Sequence, residues 1–155
     1  MMPNLSSVPH QLYDTDYNLW VLETVKKLKS KDFSGLDWEN LVEEVLDLSQ
    51  REKNKLESLL IKLFEHLLKL AYWSGEVERN KAHWEAEIIN FRLQIKRLLK
   101  RSPSLKSFAF AQEILEECYQ DSRKIISKRI QLPMDVFPNQ PIARLEELLD
   151  ENWYP

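Results

Sequence analysis

The chain reads as all-α: one domain, an antiparallel bundle of five long helices plus a short C-terminal helix. Three observations predict this. Only two glycines, Gly35 and Gly75, occur in 155 residues, too few for the many turns of an all-β fold. Apolar residues recur at steps of three and four through five long segments. Short polar breaks, KDFSGLD, SGEVERNKA and SPS, separate those segments.

The first helix follows YDTD. Asp14 is the expected cap and Asp16 lies in the first turn, where negative charge meets the positive end of the helix dipole. It runs to about Ser30 with Trp20, Thr24, Val25 and Leu28 near one stripe. Asp37 caps the second, DWENLVEEVLDLS, whose Trp38, Leu41, Val42, Val45 and Leu48 share a face. SQRE at 49–52 fits a capping box and predicts a restart, giving a third helix over about 50–73. Its broad stripe, with Leu56, Leu60, Leu63, Leu67 and Leu70, marks it as central.

The fourth helix is expected over about 79–101, with Trp84, Ile88, Phe91, Ile95 and Leu98 at alternating steps of four and three. Pro103 suits the first turn of a fifth, about 103–129, whose buried side would carry Leu105, Phe108, Ala111, Leu115, Cys118 and Ile125. Residues 130–141 read as a proline-rich loop, and Pro141 opens the short last helix to about Asp150. Residues 1–12 read as an extended arm.

Composition narrows the function. Cys118 is the only cysteine, so neither an internal disulfide nor a cysteine-based zinc site can form within the chain. MMPNLSSVPH lacks the basic and apolar regions of a secretory signal. The most apolar stretch, LLIKLFEHLLKLAYW, is interrupted by Lys62, Glu65, His66 and Lys69, so no membrane span is expected and a cytoplasmic setting is. Net charge is −3, but the charges are segregated: residues 32–52 hold seven acids against Arg51, and residues 92–106 hold six bases and no acid.

No nucleotide-binding glycine motif, nucleophile elbow or HExxH is present, which argues against an enzyme, and no cofactor is expected. Glu39 and Glu43 stand at i and i+4 beside Glu44. Bundle carboxylates can join a histidine in a metal site, yet the Glu-x-x-His spacing is missing, and such pairs more often face solvent. His83 and Glu87, also i and i+4, could reach one ion or simply share a surface hydrogen bond. Glu43, His66, His83 and Glu87 are therefore the candidate metal ligands. His66, inside the leucine run, needs a hydrogen-bond partner; an acid of the second helix is the expected one. The basic stretch, Arg92 to Lys106, could meet a phosphate backbone, but no aromatic residue interleaves with it to stack bases.

These residues also carry a resemblance. LYDTDYNLW at 12–20, LDWENLVEEV at 36–45, HLLKL at 66–70, HW at 83–84 followed by Arg92, SPSL at 102–105, and LP and FP at 132–133 and 137–138 occur in an order and spacing similar to the bacterial family called domain of unknown function twenty-nine. That pattern often has tryptophan where this chain has Leu70 and glycine where it has Ser49. The resemblance implies an all-helical domain and marks Tyr13, Asp14, Asp16, Glu43, Glu44, His66, Arg92 and Ser104, without assigning catalytic roles.

Three readings follow. One is a regulatory or interaction module that binds a protein partner. Another is a metal-binding or hydrolase-like domain in which Glu43, Glu44, His66 and Arg92 converge as catalytic candidates. Nucleic-acid binding through Arg92–Lys106 is a third. Periodicity fixes neither the oligomeric state nor which faces of the helices meet.

Overall fold

The computed structural model describes residues 10–110 and 112–155. Residues 1–9 of the expected arm, and Ala111, lie outside the described residues. All described regular structure is helical. The chain divides between Arg51 and Glu52 into two compact units.

The first unit comprises α1 (His10–Thr15), α2 (Tyr17–Lys29), a 3-10 turn at Phe33–Gly35, and the start of α3 (Trp38–Tyr72). Residues 10–12, expected to be extended, open α1 instead. The carboxylate of Asp16, not Asp14, caps α2 by accepting from the Leu19 amide at 3.0 Å. One residue separates α1 from α2, so only Asp16 occupies the N-cap position, where a side-chain oxygen reaches the third amide of the helix.

Helix α3 is continuous for 35 residues, about 52 Å at 1.5 Å per residue. The restart expected at Ser49 does not occur. Neither glycine nor proline lies between Trp38 and Tyr72, and a capping box contributes only about 1 kcal/mol. That is less than the cost of orphaning the backbone groups a break would expose. Because the expected second and third helices are one, the described residues contain four long helices rather than five: α2, α3, α4 and α6.

The second unit holds the rest of α3, α4 (Ser74–Arg101), α5 (Leu105–Phe110), α6 (Gln112–Ile130), a 3-10 turn at Met134–Val136 and α7 (Leu145–Leu149). Only Trp73 separates α3 from α4, so Ser74-Gly75, expected as a break, forms the first turn of α4. The two helices are antiparallel: Trp73 and Trp84 stack at the connected end, 5.6 Å between centroids, while Glu52 meets Arg101 at the other, 3.7 Å away. Helix α6 runs in the direction of α3, since Cys118 lies by the Glu57 carbonyl and Arg129 reaches Glu65 at 3.1 Å.

The core belongs to this unit. Leu56, Leu60, Leu63, Phe64, Leu67 and Leu68 of α3 are fully buried, and they pack with Ile88, Ile95, Tyr119, Ile126 and Leu148. On α6 it is Ile126 that is buried and Ile125 that is exposed. The short last helix starts at Leu145, four residues beyond Pro141. The Arg144 amide donates to Glu147 Oε1 at 3.1 Å, closing the amide half of a capping box there.

Two helix ends stop without a glycine. Lys31 (φ 58°) and Gln131 (φ 59°) take the left-handed position that glycine usually fills. In both, the next amide closes a six-residue loop: Asp32 donates to the Lys27 carbonyl at 3.0 Å and Leu132 to the Ser127 carbonyl at 3.1 Å. Side chains reinforce each stop, through the Lys27–Asp32 ion pair at 2.9 Å and the Ser127 hydroxyl donating to the Leu132 carbonyl.

Candidate functional site

The first unit is a helical hairpin braced by polar contacts. Tyr13 and Tyr17, one turn apart, both donate to the Glu44 carboxylate of α3, at 2.5 and 2.7 Å. Tyr13, Tyr17 and Trp20 pack as one aromatic cluster, with Tyr17 and Trp20 stacked. The buried Trp20 indole donates to Asp37 Oδ2 at 3.1 Å, while Asp37 also accepts from the Asn40 side chain at 2.8 Å. Two phenol donors hold the Glu44 carboxyl below its ordinary range, and the same bond pushes the Tyr13 phenol up to about 12.

This bracing covers one side of α3 and leaves another bare. Trp38, Val42, Val45, Leu46 and Leu48 are 50–60% exposed, as is Leu22 of α2. Among the described residues of the first unit only Trp20 and Leu36 are buried large apolar ones, whereas most of the second unit's described apolar residues are in its core. Glu39 and Glu43 follow Trp38 and Val42 by one residue, about 100° around the helix, and they are exposed too. An apolar strip flanked by carboxylates results. Leu22 and Leu46 lie off the stripes read from the sequence, whose signal concerns periodicity and not coverage.

The other candidates have separate partners. His66 takes its hydrogen bond from its own helix: Nδ1 lies 2.9 Å from the Lys62 carbonyl, which requires the proton on Nδ1. The expected acid of the N-terminal part of α3 is not that partner, because a carbonyl four residues back is already in reach. The ring meets Phe91 edge-on at 5.1 Å. Burial lowers the His66 pKa, outweighing the carbonyl bond and nearby Glu87, while Lys69 and His83 lower it further.

A pH dependence follows, with its sign fixed by that direction. Protonation favours the unfolded chain, so this contribution is complete above about pH 6.5 and is lost as pH falls from there toward the folded pKa. Wild type is expected to lose urea resistance between pH 7.5 and 5.5 by more than His66→Gln does. Equal losses would remove His66 from the explanation.

Arg92, expected on the basic face, is fully buried. Nε donates to the Leu148 carbonyl at 2.6 Å, and Nη2 donates to the carbonyls of Trp153 at 2.7 Å and Glu147 at 3.4 Å. Nη1 has no hydrogen-bond partner among the described groups. The Tyr154 ring lies 5.2 Å from the guanidinium carbon, and its π face is attractive to the cation. Arg92 is therefore a clasp for the C-terminal segment. It sits within the Ile88–Phe91–Ile95 stripe, and that position is the sequence signal of its burial.

His83 is exposed and Glu87 half-buried. Among the described residues, no three His, Cys, Asp or Glu side chains gather where they could hold a metal ion. Glu65 is nearly buried against Arg129, and burial raises its carboxyl pKa despite that partner. The Cys118 thiol is buried and pushed up to about 12 by desolvation, with Glu57, Asp121 and Glu117 adding to the rise. A thiol so poised is not a nucleophile. No described helix is long and apolar enough to cross a membrane.

Neither curated proteins nor solved structures matched the chain. The model of the family described as Domain of unknown function DUF29 matches residues 12–154, nearly the whole length, and the chain belongs to that family.

Proposed function

We propose that the protein is an interaction module whose first unit docks an amphipathic helix of a partner protein. The observation that carries this reading is the bare strip on the N-terminal part of α3, with Trp38, Val42, Val45, Leu46 and Leu48 each at least half exposed. Leaving apolar side chains in water forfeits the burial free energy that folds a protein, and a contiguous apolar strip with a polar margin is the usual form of a binding surface. Helix-in-groove recognition uses anchors at steps of three and four, the spacing this strip presents.

The charges select the partner. Glu39, Glu43 and Asp47 are exposed beside the strip, and residues 32–52 hold seven acids against one base. Electrostatic complementarity favours a partner helix whose apolar face is flanked by lysine and arginine. The tyrosine–Glu44 brace contributes preorganisation, because a hairpin held open to solvent loses little freedom on binding.

Photo-crosslinking tests this directly. A benzophenone amino acid at Leu46 in the full-length protein, irradiated in its native cells, is expected to capture a peptide with helical periodicity and net positive charge. Capture should fall with Val42→Glu. Capture of an acidic or non-helical segment, of a second copy of this chain, or of nothing would overturn the proposal.

A further inference from the structure

The α3–α4 hairpin of the second unit contains a groove of different character, independent of the apolar strip. Its cavity of about 340 Å³ is lined by Lys55, Asn90, Gln94, Arg97, Leu98 and Arg101. On α4, Asn90, Gln94, Arg97 and Arg101 follow one another at steps of four, three and four, so they form one stripe. Lys55 enters from α3, and Leu98, nearly buried, supplies the apolar member of the lining.

Three cations line one small space with little to balance them. Arg101 lies 3.7 Å from Glu52, which also accepts from the Ser102 hydroxyl at 3.4 Å. Among the described residues Lys55 and Arg97 have no carboxylate partner and the amides of Asn90 and Gln94 no hydrogen-bond partner, whereas Lys96 on the same helix pairs with Glu151 at 3.0 Å. Like charges held in one concavity repel each other and raise the local concentration of anions.

We infer that this groove binds the phosphoryl or pyrophosphoryl group of a small ligand. Two guanidinium forks match phosphate oxygens in pairs, Lys55 adds a third cation, and the two side-chain amides add neutral donors. The volume sits at the low end of ligand pockets, which span about 300–1,000 Å³. It suits one or two phosphoryl groups with a small attached moiety rather than a nucleic-acid helix. The same phosphate chemistry could come from a free nucleotide or from a strand of nucleic acid, and the titration below separates them.

Isothermal titration of the full-length protein with sodium pyrophosphate at low ionic strength, beside a single-stranded oligonucleotide, is the test. Saturable one-to-one binding of pyrophosphate is expected, weakened about tenfold or more in K55Q/R97Q, since each cation contributes charge-assisted bonds. It should be unchanged in K124Q/K128Q, which removes the same charge from exposed positions of α6. All four side chains are exposed, and circular dichroism checks that each variant is folded. Absence of saturable pyrophosphate binding, equal weakening by both double variants, or binding of the oligonucleotide alone would each overturn the inference.

Discussion

Arg92→Ala is expected to cost the protein about 3–5 kcal/mol in urea unfolding, the range for removing one member of a buried charged network. Three backbone carbonyls, those of Glu147, Leu148 and Trp153, accept from this side chain. Truncation leaves the Leu148 and Trp153 carbonyls buried or half-buried without that donor, at about 1–3 kcal/mol for a fully buried one, while the Glu147 carbonyl keeps the Asp150 amide, and it opens a cavity beside Tyr154. Arg92→Lys should recover little, because an ammonium cannot span acceptors arranged for a planar fork. The C-terminal segment should also become the first site of limited proteolysis. A loss below about 1 kcal/mol, or a tail as resistant as wild type, would mean that the clasp holds nothing.

The second large effect is a contrast within one helix. Leu60→Ala is expected to cost about 2–5 kcal/mol, because Leu60 is fully buried in the core and truncation there leaves a cavity that relaxes incompletely. Val45→Ala, fifteen residues earlier in α3, should stay within about 0.5 kcal/mol of wild type. Alanine is also the better helix former. Paired urea titrations at matched protein concentration read both. A cost above about 1.5 kcal/mol for Val45→Ala would mean that the strip is covered in solution, and would count against a face kept open for a partner.

That contrast also marks the limit of the sequence. Leu41, Val45 and Leu48 follow the same periodicity as Leu56, Leu60 and Leu63, so the pattern identifies the helix and its apolar face alike in both stretches. Nothing in periodicity states whether another element lies over that face, because coverage is set by residues distant in the chain. Arg92 illustrates the same division. Its spacing puts it in the Ile88–Ile95 stripe, yet its charge led it to be expected on the basic face, because its acceptors are 55 to 61 residues away and carry no side-chain signature, being backbone carbonyls.

The breaks were misjudged for a different reason. SQRE at 49–52 and Ser74-Gly75 are local signals worth about a kilocalorie, and both were outweighed by the gain from extending α3 and α4 through them. His66 erred in the opposite direction: a distant acid was expected where a carbonyl one turn away sufficed. The family resemblance, by contrast, rested on the order of many short pieces along the chain. Such order does not depend on which face each helix presents, and it held over nearly the full length.

The chemistry of Cys118 has a practical consequence for spectroscopy. With its thiol buried and pushed up by desolvation, Cys118 keeps little of the reactive thiolate at neutral pH, and the sulfur is shielded from reagents as well. The natural chain should therefore behave toward maleimides as though it contained no cysteine. A single cysteine placed at Val45 or Lys55 would take a fluorophore or spin label without any background to remove. The apolar strip and the cationic groove could each be given its own reporter in the otherwise native protein.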